Sequence, residues 1–185
     1  ATAASGRSSH PSVDRPPDPW RDVDELDLEY VVADLDVVTR RLEKLRTAGR
    51  HGTPAEREQN AREEALLDRL APALEEGRPL RSLTWTDDDE RLARGFRFLS
   101  QKPQLVVVNV AEERLAQAAE LEADAQRRHA AARRDVIVLA AGIEAEIAAL
   151  PEAEAGPFLD DLGIAEPSRG RVIRRTYALL GLFSF

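Results

Sequence analysis

Cysteine is absent from the 185 residues, which excludes a disulfide framework and any thiolate metal site. That fits a reducing cytoplasm. Methionine is absent too, which predicts either an initiator removed before Ala1 or a piece of a longer protein. Long apolar runs are missing. No stretch approaches the roughly 18 uninterrupted apolar residues of a membrane span, and no apolar signal-peptide core lies near Ala1. Cations are outnumbered, 26 against 34 acidic residues, for a net charge of −8. Direct nucleic-acid binding through a broad basic surface is therefore not expected. The best candidate for a local basic patch is Arg169, Arg171, Arg174 and Arg175, and its plainer reading is a solvated helix face.

What is present divides into three parts. Residues 1–19 are rich in Ser, Pro and Gly and read as a flexible leader. Leu28, Val31, Leu35, Val38, Leu42 and Leu45 then follow at alternating spacings of three and four. That heptad stripe predicts a helix packed along one partner. Gly49 and Gly52 stop it. Thr53-Pro54-Ala55-Glu56 reads as a capping box opening a second helix, with Leu66, Leu67, Leu70 and Leu74 on one face. Residues 20–80 are thus expected to form an antiparallel helical hairpin, a coiled-coil insertion ending at Gly77 and Pro79.

Residues 81–185 read as half of an α/β domain. Thr86 caps a helix whose first turn is Asp87, Asp88, Asp89 and Glu90. Favourable interaction with the helix dipole explains that run better than a metal site does. Leu92, Phe96 and Leu99 are its expected buried side. Leu105 to Val108 and Val136 to Leu139 are short apolar runs that suit strands buried on both faces. A helix from about Glu112 to Arg133 joins them into a βαβ unit with parallel strands. Further helices are expected around Ile143 to Leu150, around Phe158 to Leu162 and around Val172 to Leu180. Two parallel strands do not make a stable sheet, so the other strands are expected from elsewhere.

In open α/β folds ligands bind beyond the carboxyl ends of parallel strands. Those ends are Asn109 to Glu112 and Ala140-Ala141-Gly142. The amide of Asn109 can pair with the N6 and N7 edge of adenine. Glu112 can accept from an exocyclic amine, and Gly142 lets backbone approach a ring. Asn109 with Glu112 also has the spacing of a capping box. Spacing leaves both readings open.

The run Lys102 to Glu112 resembles the strand of the YchF-type (Obg-like) P-loop ATPase family that ends in Asn-x-x-Glu. Ala140 to Ile147 resembles that family's next nucleotide-side loop and its Glu-Ala-Glu helix. Phe158 to Ile164 resembles its Phe-Leu-x-x-Leu-Gly segment, and Val172 to Leu182 the helix before its C-terminal TGS domain. Asp18 to Asp24 resembles the entry to its helical hairpin. The likeness covers about nine-tenths of the chain in the right order.

The resemblance implies a partial parallel P-loop NTPase sheet carrying an inserted helical hairpin, with ATP or GTP as ligand and ATP preferred. It implies that Asn109, Val110, Glu112, Ala140, Ala141 and Gly142 are nucleotide-binding. In ordinary GTPases an Asn-Lys-x-Asp motif reads guanine. Here Glu112 replaces the Asp, and Val110 removes the lysine stem that lies along the base. No Gly-x-x-x-x-Gly-Lys-Ser/Thr occurs, so magnesium and phosphate ligands are expected outside this chain, in a P-loop segment. The chain alone is expected not to hydrolyse nucleotide. The family's association with ribosomes implies a ribosomal partner. The alternative is a non-catalytic helical interaction module derived from such an ATPase.

Overall fold

The computed structural model describes residues 18–182 apart from 49–51, 130, 132 and 165. The expected leader up to Pro17, Gly49 and the aromatic ending at 183–185 lie outside the described residues. The described part is mostly helical: α1 (Pro19–Ala48), α2 (Pro54–Glu75), α3 (Asp87–Ala93), β1 (Gln104–Asn109), α4 (Ala118–His129), β2 (Arg134–Leu139), α5 (Ala141–Ala149), α6 (Glu152–Asp161) and α7 (Ser168–Leu180). Short 3-10 turns cover Leu80–Ser82 and Glu112–Gln117.

Helix α1 begins earlier than its apolar stripe. The Asp18 carboxylate accepts from the amides of Trp20 at 3.1 Å and Arg21 at 3.3 Å. It caps the free amides, and Pro19 suits the first turn. Asp18 and Pro19 thus belong to the helix rather than to the leader. Val31, Val38, Leu42 and Leu45 are buried against Leu66, Leu67, Leu70 and Leu74 of α2. Leu28 is not: it is 54% exposed. Its turn of α1 lies beside polar elements instead, where Asp27 meets Arg81 and Arg134. Helix α2 opens with the expected capping box between Thr53 and Glu56. The backbone amide of Thr53, then its hydroxyl, hold the Glu56 carboxyl below its ordinary pKa. Arg41 of α1 forks onto both oxygens of Glu63 of α2. The hydrogen bond to Glu63 raises the Arg41 guanidinium above its ordinary value.

Helix α3 is shorter than its sequence pattern implies. It ends at Ala93, and Arg97 takes a left-handed backbone with φ of 54°. That break turns Phe98 into the core, and Leu99 stays on the surface. The ring of Phe98 stacks on Phe96 with centroids 5.1 Å apart.

The two strands are parallel, in register from Gln104 with Arg134 to Asn109 with Leu139. Helix α4 connects them, and it is preceded by a 3-10 turn where a single helix from Glu112 was expected. The outer edge of β2 is closed by side chains one helical turn apart on α4. Glu122 accepts from the Val138 amide at 2.9 Å, and Gln126 donates to the Val136 carbonyl at 3.1 Å. The outer edge of β1 pairs with no third strand among the described residues. Strand β2 is buried as expected, but Val107 of β1 is 47% exposed. The expectation of burial on both faces therefore fails for β1, because that side has no covering layer here.

Candidate functional site

Register brings the two candidate loops together. Asn109 is the last residue of β1, and its neighbour Leu139 is the last of β2. The ladder continues one step further, with the Val110 amide donating to the Leu139 carbonyl at 2.9 Å. Helix α5 starts directly after Ala140, which has no side chain able to cap it. Asn109 supplies the cap from the other strand: its Oδ1 accepts from the Ala141 amide at 2.9 Å. An orphan donor of α5 is thereby satisfied across 32 residues of sequence.

This corrects the capping-box reading. The turn that begins at Glu112 is preceded by Ala111 and has no side-chain cap. Asn109 is a cap, but for α5. Among the described residues the nitrogen of its side chain makes no hydrogen bond, which leaves it a donor for a ligand.

The six residues divide by environment. Asn109, Glu112, Ala141 and Gly142 are exposed, whereas Ala140 is buried. Val110 turns inward to pack against Ala140, Ile143 and Ile147. A Cβ added at Gly142 would meet nothing within 4 Å. The rim therefore presents a donor, a carboxylate and an open stretch of backbone, anchored beneath by Val110 and Ile143. It is open surface. A separate hollow of about 530 Å³ lies between α4, α5 and the start of α7, lined by Ala119, Ala123, Val138, Ile143 and Arg171 but not by Asn109, Glu112 or Gly142.

Other sequence candidates have structural partners. Arg171 and Arg175 pair with Glu122, Arg175 also with Asp135 at 2.9 Å, and Arg174 with Glu166. Of the supposed basic patch, these three are therefore neutralised. Asp89 completes a capping box with Thr86 and pairs with Arg69 at 2.6 Å. The Thr86 amide is the main cause of its lowered carboxyl pKa. Glu144 accepts from the Ser168 amide through both oxygens, at 2.9 and 3.0 Å, and so caps α7. Spacing gives no signal for that contact or for the edge-closing Glu122.

Curated relatives match most of the chain. The chain is 33% identical over 171 residues to a Bacillus subtilis protein named ribosome-binding ATPase YchF. It is 35% identical over 170 residues to the protein of that name from Haemophilus ducreyi. Each match spans 91% of this chain and 45% of the relative. Over this span the chain is similar to YchF-type proteins. The structure of the Schizosaccharomyces pombe YchF GTPase shares its fold, with a TM-score of 0.76 at 22% identity, over 91% of this chain and 46% of that one. No protein-family model matches the chain. The chain thus spans a little under half the length of the curated relatives it matches. Its mostly helical fold around two parallel strands is consistent with a partial P-loop NTPase fold.

Proposed function

We propose that this chain is the base-recognition rim and helical arm of an Obg-like nucleotide-binding ATPase/GTPase that prefers ATP over GTP. The observation that carries the reading is the rim. The bond from Ala141 to Asn109 ties two adjacent parallel strand ends together, and it leaves the Asn109 amide nitrogen, Glu112 and the Gly142 backbone facing outward. In this reading Asn109 donates to N7 of the purine and Glu112 accepts from the adenine amine. Ala140 to Gly142 close over the ring, and Val110 supports the loop from below.

Hydrolysis is not assigned to these residues. Among the described residues no group of three or more His, Cys, Asp or Glu is placed to hold a metal ion. In this reading the magnesium ligands and the phosphate cradle come from a P-loop segment, because no Gly-x-x-x-x-Gly-Lys-Ser/Thr occurs in the 185 residues. The open edge of β1 is the place where further strands of such a domain would pair. Residues 20–80 form the arm, an antiparallel coiled-coil hairpin. The relatives' name, ribosome-binding ATPase, supports the ribosome as its partner and a cytoplasmic setting. A purely docking role for the arm is the second reading. Leu28 and Val32, a helical turn apart and 54% and 57% exposed, favour it.

The test is titration of ATP and GTP into full-length wild type, Asn109→Ala and Glu112→Asp, beside thermal melts. Asn109→Ala is expected to weaken ATP binding by about 1–3 kcal/mol. Glu112→Asp is expected to shift preference toward guanine. Equal affinities in all three proteins, with a lowered melting point for Asn109→Ala alone, would leave Asn109 as a cap and overturn the reading.

A further inference from the structure

A cluster of cations lies away from the rim, near the amino ends of the strands. Arg94, Arg97, Lys102 and Arg133 line a hollow of about 330 Å³. Its base is apolar, with Ala93 and Phe98 buried beneath it. Glu90 is the one carboxylate in its lining, 3.6 Å from Arg133. Arg94 also shares a neighbouring hollow with Asp87 and Glu90. Among the described residues, the side chains of Arg94, Arg97 and Lys102 have no ion pair or hydrogen bond. Four cations thus face one carboxylate, in a chain whose net charge is −8.

The backbone supplies an independent observation. Arg97 and Arg133 have φ of 54° and 61°, and among the described residues they are the two non-glycine positions with positive φ. Left-handed backbone is costly for an L side chain, and glycine is the usual occupant. Here both strained positions carry arginine, and both line the same hollow. Strain of this kind clusters where a ligand requires a side chain to be held in place.

We propose that this hollow is an anion site that takes a phosphate group. Guanidinium forks match phosphate oxygens two at a time, and the Lys102 ammonium adds a point charge. The phosphate comes from a free oligophosphate or from an RNA backbone. The site is independent of the purine rim: its residues precede β1 and β2, whereas the rim follows them.

The experiment is calorimetric titration of the 185-residue chain, which has no P-loop motif to compete, with inorganic tripolyphosphate and separately with a short single-stranded RNA. The variants are an Arg94→Gln/Arg97→Gln double, Arg97→Gly, and Arg62→Gln as an arginine control on the arm. Wild type and the control are expected to bind alike, and the double variant about tenfold or more weaker. Arg97→Gly is expected to melt higher, because its strain is relieved, and yet to bind more weakly. A purely structural role for Arg97 would not split those two readouts. Binding of RNA alone identifies a nucleic-acid backbone as the source. Binding of tripolyphosphate alone identifies a free oligophosphate, and binding of both shows a site that accepts phosphate from either. Binding of neither, or equal binding by wild type and the double variant, would overturn the proposal.

Discussion

The two ends of the strand pair are built differently. Where the amino ends meet the helical arm, polar groups are tied to one another. Asp27 of α1 receives Arg81 from the turn after α2 and Arg134 from the start of β2, with Gln104 of β1 3.4 Å away. Nearby, Asp34 is 3% exposed and accepts from the Leu99 amide at 2.8 Å and the Ser100 amide at 2.7 Å. These carboxylates join the helical arm to the sheet. At the carboxyl ends one side-chain bond among the described residues, from Ala141 to Asn109, joins the loops, and Glu112, Ala141 and Gly142 are exposed. Buried, mutually satisfied groups fix a fold and have little left to offer a ligand. Exposed groups on a fixed frame are what recognition uses.

The contrast predicts unequal penalties. Asp27→Ala should have the largest effect, because it strands Arg81, whose side chain is 3% exposed, and Arg134 at 11%. Breaking a buried pair on one side costs about 3–5 kcal/mol, so urea melts should show a markedly lower midpoint. Little change would mean that the arm is not held by this joint. At the opposite end Asn109→Ala should lower stability by only about 1 kcal/mol, the value of a helix cap. A loss as large as that of Asp27→Ala would erase the distinction between the two ends.

Acid should act locally and more weakly. The carboxyls of Glu56 and Asp89 are held below their ordinary values by the amides of Thr53 and Thr86. A depressed carboxyl contributes stability above its unfolded pKa, and that contribution is lost as pH falls through the lower folded value. Hydrogen exchange at the starts of α2 and α3 should therefore quicken below about pH 4, the ordinary carboxylate range. Glu56→Gln should remove the pH dependence at α2 while leaving α3 unchanged.

Local signals in the sequence carried far. Thr53 with Glu56, and Thr86 ahead of its acidic run, announced two helix starts because a capping box is contained in four residues. Both strands were legible as short β-branched runs. Contacts between distant segments were not. The partner of Asn109 lies 32 residues on, so the spacing with Glu112 pointed to the wrong helix. Glu122 looks like one more charged residue of α4, and only the fold reveals that it closes the edge of β2. Arg171 and Arg175 read as a basic face until Glu122 and Asp135 are brought beside them. The heptad stripe overran at Leu28 because periodicity says nothing about what lies opposite each turn.

The most direct test of the outward-facing rim is Gly142→Ala, measured as ATP affinity beside a thermal melt of the full-length protein. A methyl group there meets nothing within 4 Å, and alanine favours the second residue of α5 by up to about 1 kcal/mol. The melting temperature should hold or rise while ATP affinity falls, because in the proposed reading the methyl occupies the space that the ring takes. Wild-type affinity in a variant that melts like wild type would show that no base approaches Gly142, contradicting the assignment of the rim.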